Sequence, residues 1–429
     1  MLSTHNKALT PVAEEDRVFH WHEHASLWFS LGVGLLVIQI GAYLVPAVGS
    51  RDAMIAILFG SIVGSGLLAW TAKLGCDSGL SSAGLMGATF GSHFARLPVI
   101  LNIVQLIGWT TFELVVMRDG TAAIGRQSLG LALDGMGGTL ITTLLWGAVL
   151  TFLLAGSMTR LVRKIVSRFG LPLVIVSLLW LTWQFGVQLN SQGLDAFWSR
   201  TGDGSMGLLS AMDLVIAMPV SWLPLVADYA RHGRSGRGTL GGTWLGYAIA
   251  NVWCYALGVM VASLAQPGAD LVSALLLAQG GLLALSLILI DEIDNAYGDV
   301  YSSAVSAHSI RPAISIRQWG LGLALLSTGL ALVLPMHSLE PFLLTLSSIF
   351  VPLFGVILGR LGTGQTSFAP AQFKVDWASA SMWVGGIATY HAIAHWMPQW
   401  GAALPTLALT FVLAAFFHPA RLRERSFAG

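Results

Sequence analysis

Apolar stretches long enough to cross a lipid bilayer recur along the whole chain, and they limit its fold more than any other feature. A helix needs about 20 apolar residues to cross the hydrocarbon core, and runs such as Ala402–Phe417 contain no charged residue. Hydrophobic residues make up 55% of the 429 positions and charged residues only 10%, whereas soluble domains carry roughly 25% charged residues. The chain has too few polar residues to cover the surface of a soluble protein. It is therefore predicted to be an all-α membrane protein.

Twelve membrane spans can be placed along the chain, and the distribution of its basic residues tests their number. Cytoplasmic segments of membrane proteins carry an excess of Lys and Arg. With the N-terminus in the cytoplasm, the inner segments hold 18 of the 22 basic residues, and the outer loops hold only Arg51, Arg118, Arg126 and Arg200. We therefore expect a multi-pass protein of a bacterial cytoplasmic (inner) membrane with both termini in the cytoplasm. The spans are expected at about 25–48, 52–75, 97–120, 138–156, 165–189, 208–230, 240–265, 270–298, 318–336, 339–360, 376–396 and 401–418.

The segments outside the spans are too short to form separate soluble domains. We expect a cytoplasmic N-terminal segment over 1–24, a single transmembrane domain over 25–418 and a cytoplasmic tail over 419–429. The longest connectors, at about 76–96 and 190–207, have the length to fold as short interfacial helices.

Two of the spans contain residues that interrupt helices. In span 1, Gly34 and Gly41 bracket the polar Gln39, and in span 6, Pro219 and Pro224 lie five residues apart. Proline removes a backbone donor and clashes with the carbonyl four residues earlier. The alternative is that glycine and proline are simply more frequent in membrane helices. The interruptions predict unwound backbone at mid-membrane depth, where transporters place their binding sites.

The two interrupted spans lie five spans apart, and this separation has a geometric consequence. A unit of five spans crosses the membrane an odd number of times, so a second copy begins on the opposite side. This is the arrangement of an inverted repeat, in which the broken first helices of both copies meet near the middle of the membrane.

Span 3 carries an aromatic and an acidic side chain on one helical face. Trp109 and Glu113 are four residues apart, the spacing that aligns side chains along a helix. An indole offers a flat surface for stacking, and a carboxylate accepts hydrogen bonds from ring N–H or amino groups. An acid in a membrane span is a functional candidate, because it is costly unless paired or hydrated. The alternative for Glu113 is a structural ion pair or a protonated acid bonded to a neighbouring helix.

Span 8 contains the most polar stretch that is predicted to lie in the membrane. At helical spacing, Asp291, Asn295, Asp299 and Ser302 fall on one stripe. Carboxylate, amide and hydroxyl oxygens suit a hard cation such as sodium, and a buried carboxylate can carry a proton instead. The alternative is that the span ends near 290 and the acids lie at the membrane surface, where Tyr297 would suit an interfacial belt.

The remaining candidate motifs favour structural roles. The His20–His24 run lacks the second ligand pair of a stable zinc site and is interpreted as a solvated or interfacial lead-in to span 1. Asp228 and Arg231 can pair at the end of span 6, with an anchoring or gating role. Cys76 and Cys254 predict no disulfide framework, and a net charge of +1 gives no indication of a nucleic-acid partner. No phosphate-binding loop, nucleophile elbow or metal-hydrolase motif is present, so the chain is not expected to be an enzyme.

Five short motifs follow one another along spans 1 to 8. They are Leu27-Trp28-Phe29, Phe90-Gly91-Ser92, Asn102-x-x-Gln105-x-x-Gly108-Trp109, Ser221-Trp222 with Asp228-Tyr229-x-Arg231, and Asp299-x-Tyr301-Ser302. In order and spacing they resemble the nucleobase–cation symporter family 1, which contains the purine and cytosine permeases. Within that family the resemblance is closest to the hydroxymethylpyrimidine transporter branch.

The resemblance implies a LeuT-type fold, in which two inverted five-helix repeats are followed by two further helices. Repeat one would cover about 25–189, repeat two about 208–360 and the extra helices about 376–418. The protein would then be a secondary active transporter that works by alternating access as a monomer in the lipid bilayer.

The resemblance also assigns residues to a substrate site. In that family a nucleobase-like ring is sandwiched between tryptophans of spans 3 and 6, which match Trp109 and Trp222. The same comparison with the family, together with the position of the interrupted spans, gives the polar partners expected for the ring. They are Gln39, Glu113, Ser221 and either Asn295 or Asp299.

The cation site implied by the resemblance departs from the family pattern. Sodium-binding members use span 1 backbone carbonyls, which would fall at Leu35 and Ile38, together with span 8 hydroxyls. In place of those hydroxyls this chain offers Asp294 and Asn295, or Asp291 and Glu292 in a shifted register. The coupling ion is therefore expected to be either sodium or a proton, and no organic cofactor is expected.

Together these features predict an importer of a small pyrimidine-type heterocycle, such as the hydroxymethylpyrimidine precursor of thiamine or a cytosine-like base. The acidic Glu113 favours a ring with amino groups over an all-carbonyl ring. An alternative on the same fold is an importer of amino acids or other amines, which would need a charged partner where this chain has Ser221 and Trp222. A non-transporting membrane receptor is a further alternative, and it would have no need of paired broken helices.

Overall fold

Helices form the framework of the chain in the computed structural model, which describes residues 6–133, 135–156, 170–265, 271–276, 278–334, 338–364, 368 and 373–417. Strand pairing within this part is limited to two isolated bridges, Phe19 with Gly233 and Gly49 with Thr201. The predicted tail over 419–429 lies outside the described residues. The α-helices are α1 (Trp21–Ser30), α2 (Leu35–Ser78), α3 (Ser82–Phe90), α4 (Arg96–Leu129), α5 (Met136–Leu154), α6 (Leu171–Gln192), α7 (Leu194–Trp198), α8 (Leu208–Ser221), α9 (Leu223–Ala230), α10 (Gly236–Leu264), α11 (Leu271–Leu276), α12 (Gly281–Ile310), α13 (Ile316–Val333), α14 (Leu339–Ile357), α15 (Trp377–Trp396) and α16 (Ala403–Phe416).

Eight helical stretches in the described part of the chain are long and apolar enough to cross a membrane. One of them, α2, is 44 residues long and bends at Gly49, where φ is 79° and ψ is 169°. The bend lies where the boundary between spans 1 and 2 is expected. The chain is therefore a multi-pass membrane protein, and the number of twelve spans stays a prediction. Short helices, α3 and α7, lie in the two longest predicted connectors.

The eighth predicted span differs most from its expected bounds. Instead of ending at 298, α12 runs from Gly281 to Ile310. The alternative that places its acids at a membrane surface is wrong for this structure, because Asp291, Glu292 and Asp299 are all buried inside the helical bundle. Hydropathy marks the end of a span at its polar residues, but these polar residues face other helices.

Nine of the described helices pack in two groups. Helices α1, α2, α8, α9 and α10 pack on one another, with the most extensive contact between α2 and α10. Helices α4, α5, α12 and α13 form the second group, in which α4 lies along α12. The interrupted spans 1 and 6 belong to the first group, and the polar spans 3 and 8 to the second.

Gly41 has a packing role in this structure, which corrects its prediction as a helix break. It lies inside the regular part of α2, where a Cβ atom would come within 2.1 Å of the Tyr255 carbonyl oxygen on α10. Facing it, a Cβ on Gly258 would come within 2.0 Å of the Ile38 carbonyl oxygen. The missing side chains let the two helix backbones touch, so the glycines fix the closest contact within the first helix group.

The predicted N-terminal segment packs against the ends of several helices. Its Phe19 N–H donates to the carbonyl oxygen of His232 at 2.9 Å, and the Arg17 side chain donates to the Cys76 carbonyl oxygen at 3.0 Å. Within the His20–His24 run, His24 is fully buried and lies 3.2 Å from the Thr239 hydroxyl. The interpretation of this run as a solvated lead-in is therefore wrong at His24, which lies on α1 and packs against α10.

Candidate functional site

The first span is interrupted between α1 and α2. α1 ends at Ser30 and α2 begins at Leu35, so the break contains Leu31, Gly32, Val33 and Gly34. Gly34 is extended, with φ 176° and ψ 156°. A Cβ on Gly34 would lie 3.1 and 3.2 Å from the two carboxylate oxygens of Glu292, so the absence of a side chain lets α12 approach the broken backbone.

Two side chains of α12 hold this break. The Leu35 N–H, the first of α2, donates to Oε1 of Glu292. The Asn295 amide donates to the Val33 carbonyl oxygen at 3.2 Å and to Oε2 of Glu292 at 3.1 Å. Backbone groups that the break leaves without helical partners are thereby satisfied inside the protein, as a membrane interior requires.

The second interruption lies at Trp222, between α8 and α9. Pro219 is inside α8, and Pro224 is in the first turn of α9, where a missing N–H costs nothing. Side chains of α4 bind backbone carbonyl oxygens on both sides of this break. Asn102 donates to the Pro224 carbonyl oxygen at 3.0 Å, and Gln105 donates to that of Ser221 at 3.2 Å.

A cavity lies between the two breaks and helices α4 and α12. Its space is about 20 Å³, which is room for a single water molecule. A ring would therefore need the indoles or the broken helices to move apart before it could enter. The cavity is lined by Leu31, Gly34, Leu36, Val37, Trp109, Glu113, Met218, Trp222, Glu292 and Asn295.

Two indoles line this cavity from opposite helix groups. Trp109 of α4 packs edge-on against Phe342 of α14, with ring centroids 5.1 Å apart and an interplanar angle of 74°. Trp222 meets Trp28 of α1 edge-on at 5.9 Å and 86°. The aromatic neighbours fix the orientation of both indoles, and the structure brings the two tryptophans together at one site.

Three polar atoms of the cavity wall have no hydrogen-bond partner among the residues that the structure describes. They are Glu113 Oε2, Asn295 Oδ1 and Trp109 Nε1, and the exposed fractions of their residues are 4%, 4% and 5%. Unpaired buried polar groups are costly unless they serve a ligand, a water or an ion. The wall thus presents two oxygens and one N–H group to whatever occupies the cavity.

The cavity is also acidic. The carboxyl groups of Glu113 and Glu292 lie within hydrogen-bonding reach of each other. No lysine, arginine or histidine is among the described residues that line the cavity. Two carboxyl groups in such contact share a proton, so the pair carries one negative charge without a basic partner, and the site suits a neutral or cationic ligand that donates hydrogen bonds.

A second polar cluster joins α1 to α12 outside the cavity. The Ser30 hydroxyl donates to Asp291 at 2.9 Å and lies 3.4 Å from an oxygen of Asp294. The second oxygen of Asp291 is buried and has no partner. Two acids and a hydroxyl form a suitable donor set for a small cation or a proton, so this cluster is the candidate coupling site.

Leu35 and Ile38 do not offer the backbone carbonyls that the family resemblance implies for a cation. Both lie in regular α2, because the break ends at Gly34, and the carbonyl oxygen of Ile38 lies against Gly258 of α10. The unwound segment therefore ends before both residues. Among the predicted cation residues, the structure brings Asp291 and Asp294 together with Ser30, whereas Asn295 lines the cavity.

Three predicted substrate residues do not line the cavity in this state. Gln39 has an exposed side chain on α2, one turn before Tyr43, whose hydroxyl donates to Glu340 of α14. Ser221 is buried, but its hydroxyl donates to the Met218 carbonyl oxygen at 2.7 Å. Asp299 is buried one helical turn beyond Asn295, and it is absent from the cavity wall.

Sequence reasoning missed several residues that shape the site. From the sequence, Glu292 is considered only as a cation ligand in a shifted register. An acid within a membrane span nevertheless indicates a functional role. Ser30 is not singled out at all. Asn102 and Gln105 contribute only to the family resemblance, although an Asn and a Gln on one face of an apolar helix indicate hydrogen bonds to a neighbouring helix.

Asp228 and Arg231 do not form the ion pair considered from their spacing. Asp228 is fully buried and accepts hydrogen bonds from the Ser82 N–H at 3.0 Å and from the Ser302 hydroxyl. The Arg231 side chain donates instead to the backbone oxygens of Asp228 and Lys7. These contacts tie α9 to α3, α12 and the N-terminal segment, which agrees with an anchoring role.

Comparisons with known proteins agree with this architecture. Residues 11–403 match the family described as permease for cytosine/purines, uracil, thiamine, allantoin. No curated protein sequence matches the chain significantly.

Several solved structures are similar to this chain over nearly its whole length. Mhp1, a nucleobase-cation-symport-1 family transporter in a closed conformation with bromovinylhydantoin bound, is 15% identical, with 99% of this chain and 97% of that chain covered and a TM-score of 0.79. The inward-facing conformation of Mhp1 is 15% identical, with coverage of 98% and 94% and a TM-score of 0.74. MhsT in complex with L-phenylalanine is 13% identical, with coverage of 92% and 98% and a TM-score of 0.62. These likenesses confirm the predicted all-α LeuT-type membrane fold.

Proposed function

The chain belongs to the family of permeases for cytosine/purines, uracil, thiamine and allantoin, and from this premise we propose that it imports a small pyrimidine-type heterocycle. As a member of that family it is a transporter and not an enzyme, as its sequence predicts. The proposal narrows the substrate to a flat ring with amino or N–H donors, such as hydroxymethylpyrimidine or a cytosine-like base. It also includes symport with a cation and alternating access around a fixed central site.

The pairing of two indoles with unpartnered acceptors carries this proposal. Trp109 and Trp222 line one cavity, and aromatic surfaces bind flat rings by stacking. Glu113 Oε2 and Asn295 Oδ1 are buried and free of partners, so they favour a ring edge with N–H donors. The free indole N–H of Trp109 lies in the plane of its ring, so it would suit a water or a substituent of the substrate that reaches the indole edge. An aminopyrimidine has both donors and acceptors on its edge, whereas an all-carbonyl ring offers fewer donors.

The coupling ion is proposed to bind at the cluster of Ser30, Asp291 and Asp294. This cluster joins the broken first span to the polar eighth span, so occupation by sodium or by a proton would link the two helix groups. Two acids with no described basic partner need compensation when the site is buried. A cation that binds there during transport would supply it.

The arrangement in the membrane is part of the same proposal. The excess of basic residues in alternate connectors supports a bacterial inner membrane protein with cytoplasmic termini. The two inverted repeats, at about 25–189 and 208–360, would place the breaks at α1–α2 and α8–α9 on either side of the cavity. The monomer contains a complete candidate site, which supports function as a monomer.

A thermal-shift panel on purified protein tests the substrate class. Hydroxymethylpyrimidine, cytosine, uracil, hydantoin and amino acids would be compared with sodium or potassium present. A ligand at about 100 times its dissociation constant stabilises the folded state by about 2.7 kcal/mol, which is a measurable shift. Stabilisation by aminopyrimidines supports the proposal, whereas stabilisation by amino acids alone would contradict it.

A further inference from the structure

The N-terminus of α2 faces the cavity, and a helix N-terminus attracts anions. Free N–H groups and the helix dipole give this end a partial positive charge. In transporters with broken helices, such ends commonly bind the anionic group of the substrate. Here the first N–H of the helix, that of Leu35, donates to the Glu292 carboxylate, so a side chain of the protein takes the position of an external anion.

Glu292 is firmly held in that position. Its exposed fraction is 1%, and its second carboxylate oxygen accepts from the Asn295 amide at 3.1 Å. The carboxylate also packs against Gly34, where a Cβ would lie 3.1 Å from its nearer oxygen. A ligand carboxylate could reach the helix end only by displacing a residue that is bonded through both oxygens.

We infer that Glu292 is a specificity-determining residue: its carboxylate fills the anion position of the broken helix and restricts the site to neutral or cationic rings. This inference rests on the proposed function and narrows its substrate class. Anionic rings and the carboxylate group of amino acids are excluded, because they would compete with Glu292 and face Glu113 as well. The sequence alternative of an amino-acid importer is disfavoured for the same reason.

The charge distribution of the cavity agrees with this role. The two acids have no basic residue among the described lining residues to offset a further negative charge. Like charges at close range in a water-poor site are strongly unfavourable. Glu292 thus acts on specificity twice, by occupying the helix end and by repelling anions from the cavity.

A matched pair of ligands tests the inference. Both are 4-amino-2-methylpyrimidines, one with a neutral 5-hydroxymethyl group and the other with a 5-carboxylate, so they differ mainly in charge. The wild type is expected to bind the hydroxymethyl compound and to discriminate against the carboxylate. In Glu292→Ala, which frees the helix end, the ratio of the two affinities should move toward the carboxylate by at least about tenfold, the size expected for a charge-assisted hydrogen bond.

Glu292→Gln and Asp213→Asn complete this experiment. Glu292→Gln keeps the shape of the side chain and removes its charge, so it should give a smaller shift in the same direction. Asp213→Asn removes a buried acid of α8 that accepts from the Ala403 N–H at 2.8 Å and is absent from the cavity wall, so it should leave the ratio unchanged. Equal binding of both compounds by the wild type, or an unchanged ratio in Glu292→Ala, overturns the inference.

Amide hydrogen exchange tests the position of Glu292 without any ligand. Exchange at Leu35 should accelerate by about tenfold or more in Glu292→Ala, because the amide loses a charged acceptor. Asp213→Asn should leave that rate at the wild-type value. Unchanged exchange at Leu35 in Glu292→Ala overturns the inference even if the proposed function holds. A wild type that binds neither pyrimidine counts against the proposed function, and the exchange result then decides the inference alone.

Discussion

Trp109 combines three properties that a ring-binding site needs. It lines the cavity, it packs edge-on against Phe342 at 5.1 Å, and its indole N–H is buried without a partner. A ring placed on its face would gain a stacking contact, while the N–H, which lies in the plane of the indole, stays available to a water or a substituent beyond the indole edge. Glu113, one helical turn further along α4, brings an acceptor to the same cavity.

Replacement of Trp109 by alanine is expected to weaken substrate binding and leave the fold intact. Loss of one stacking surface should cost about 1–3 kcal/mol of binding free energy, as it does for bases on aromatic side chains. Isothermal titration with the tightest ligand of the thermal-shift panel measures this difference. Trp183→Ala is the matched control, because Trp183 is 67% exposed and distant from the cavity wall. An unchanged affinity in Trp109→Ala would rule out the stacked-ring site.

Some residues of the site were accessible from the sequence, and the physical reasons differ from residue to residue. Trp109 and Glu113 could be found because helical spacing aligns them and a membrane acid is costly. Glu292 could not be ranked above Asp291, because only the rotation of α12 about its axis decides which acid meets Leu35. Gly41 looked like a helix break, but a glycine at a close helix contact has the same sequence signal.

At the scale of elements, the irregular parts of two helices are held by regular helices of the other group. α12 supports the α1–α2 break through Glu292 and Asn295, and α4 supports the α8–α9 break through Asn102 and Gln105. Glycine and proline predict where a helix can break. The partners of the freed backbone groups come from distant sequence, so they appear only in the folded chain.

The hydrogen bonds of Asn102 at the second break are expected to stabilise the folded protein. Asn102 donates to the Pro224 carbonyl oxygen and to the Ser306 hydroxyl at 3.1 Å, so Asn102→Ala removes two buried hydrogen bonds. The expected loss of stability is about 1–3 kcal/mol, read as a lower melting temperature in detergent. Asn190→Ala, at an exposed amide of α6, is the control and should change stability by less than about 0.5 kcal/mol. Equal melting temperatures for both variants would show that Asn102 does not support the break.

A histidine in the connector between α9 and α10 should make the stability of the protein depend on pH. Burial lowers the pKa of His232 to about 3, with further contributions from Arg231 and His24, against an ordinary pKa of about 6.5. Below about pH 6.5 the unfolded chain binds a proton at this residue that the folded chain does not bind, so stability falls as the pH falls toward 3.

The size of this effect can be isolated with a variant. Between about pH 7.5 and pH 5, His232 should contribute a loss of up to about 2 kcal/mol. His232→Gln should lose less stability over this interval than the wild type, as measured by melting temperatures at both pH values. If wild type and variant show the same pH dependence, His232 is not buried in its neutral form in solution.

At the scale of the whole molecule, the site lies where two groups of helices meet. The broken helices belong to the group of α1, α2, α8, α9 and α10, and the polar α4 and α12 belong to the other. Relative movement of the groups would open the cavity to one side of the membrane at a time. The Ser30–Asp291–Asp294 cluster spans the same boundary, so its occupation and the movement of the groups would be linked.

The fold class followed from the sequence because apolar runs without charge allow only membrane helices. The grouping of those helices could not be predicted in the same way, because the order of spans along the chain does not determine which helices are in contact. The family resemblance supplied that arrangement, and the structure agrees with it. The conformation of the cavity, with room for one water, had no signal in the sequence.

Substrate uptake into proteoliposomes tests the central claim most directly. Purified protein would be reconstituted, and uptake of radiolabelled hydroxymethylpyrimidine would be followed under an imposed sodium gradient or an imposed proton gradient, with Trp222→Ala as the site variant. We predict concentrative uptake that depends on one of the two gradients, is inhibited by unlabelled cytosine-like bases and is strongly reduced in Trp222→Ala. Uptake at the rate of protein-free liposomes under both gradients, or equal uptake by Trp222→Ala, would contradict the account.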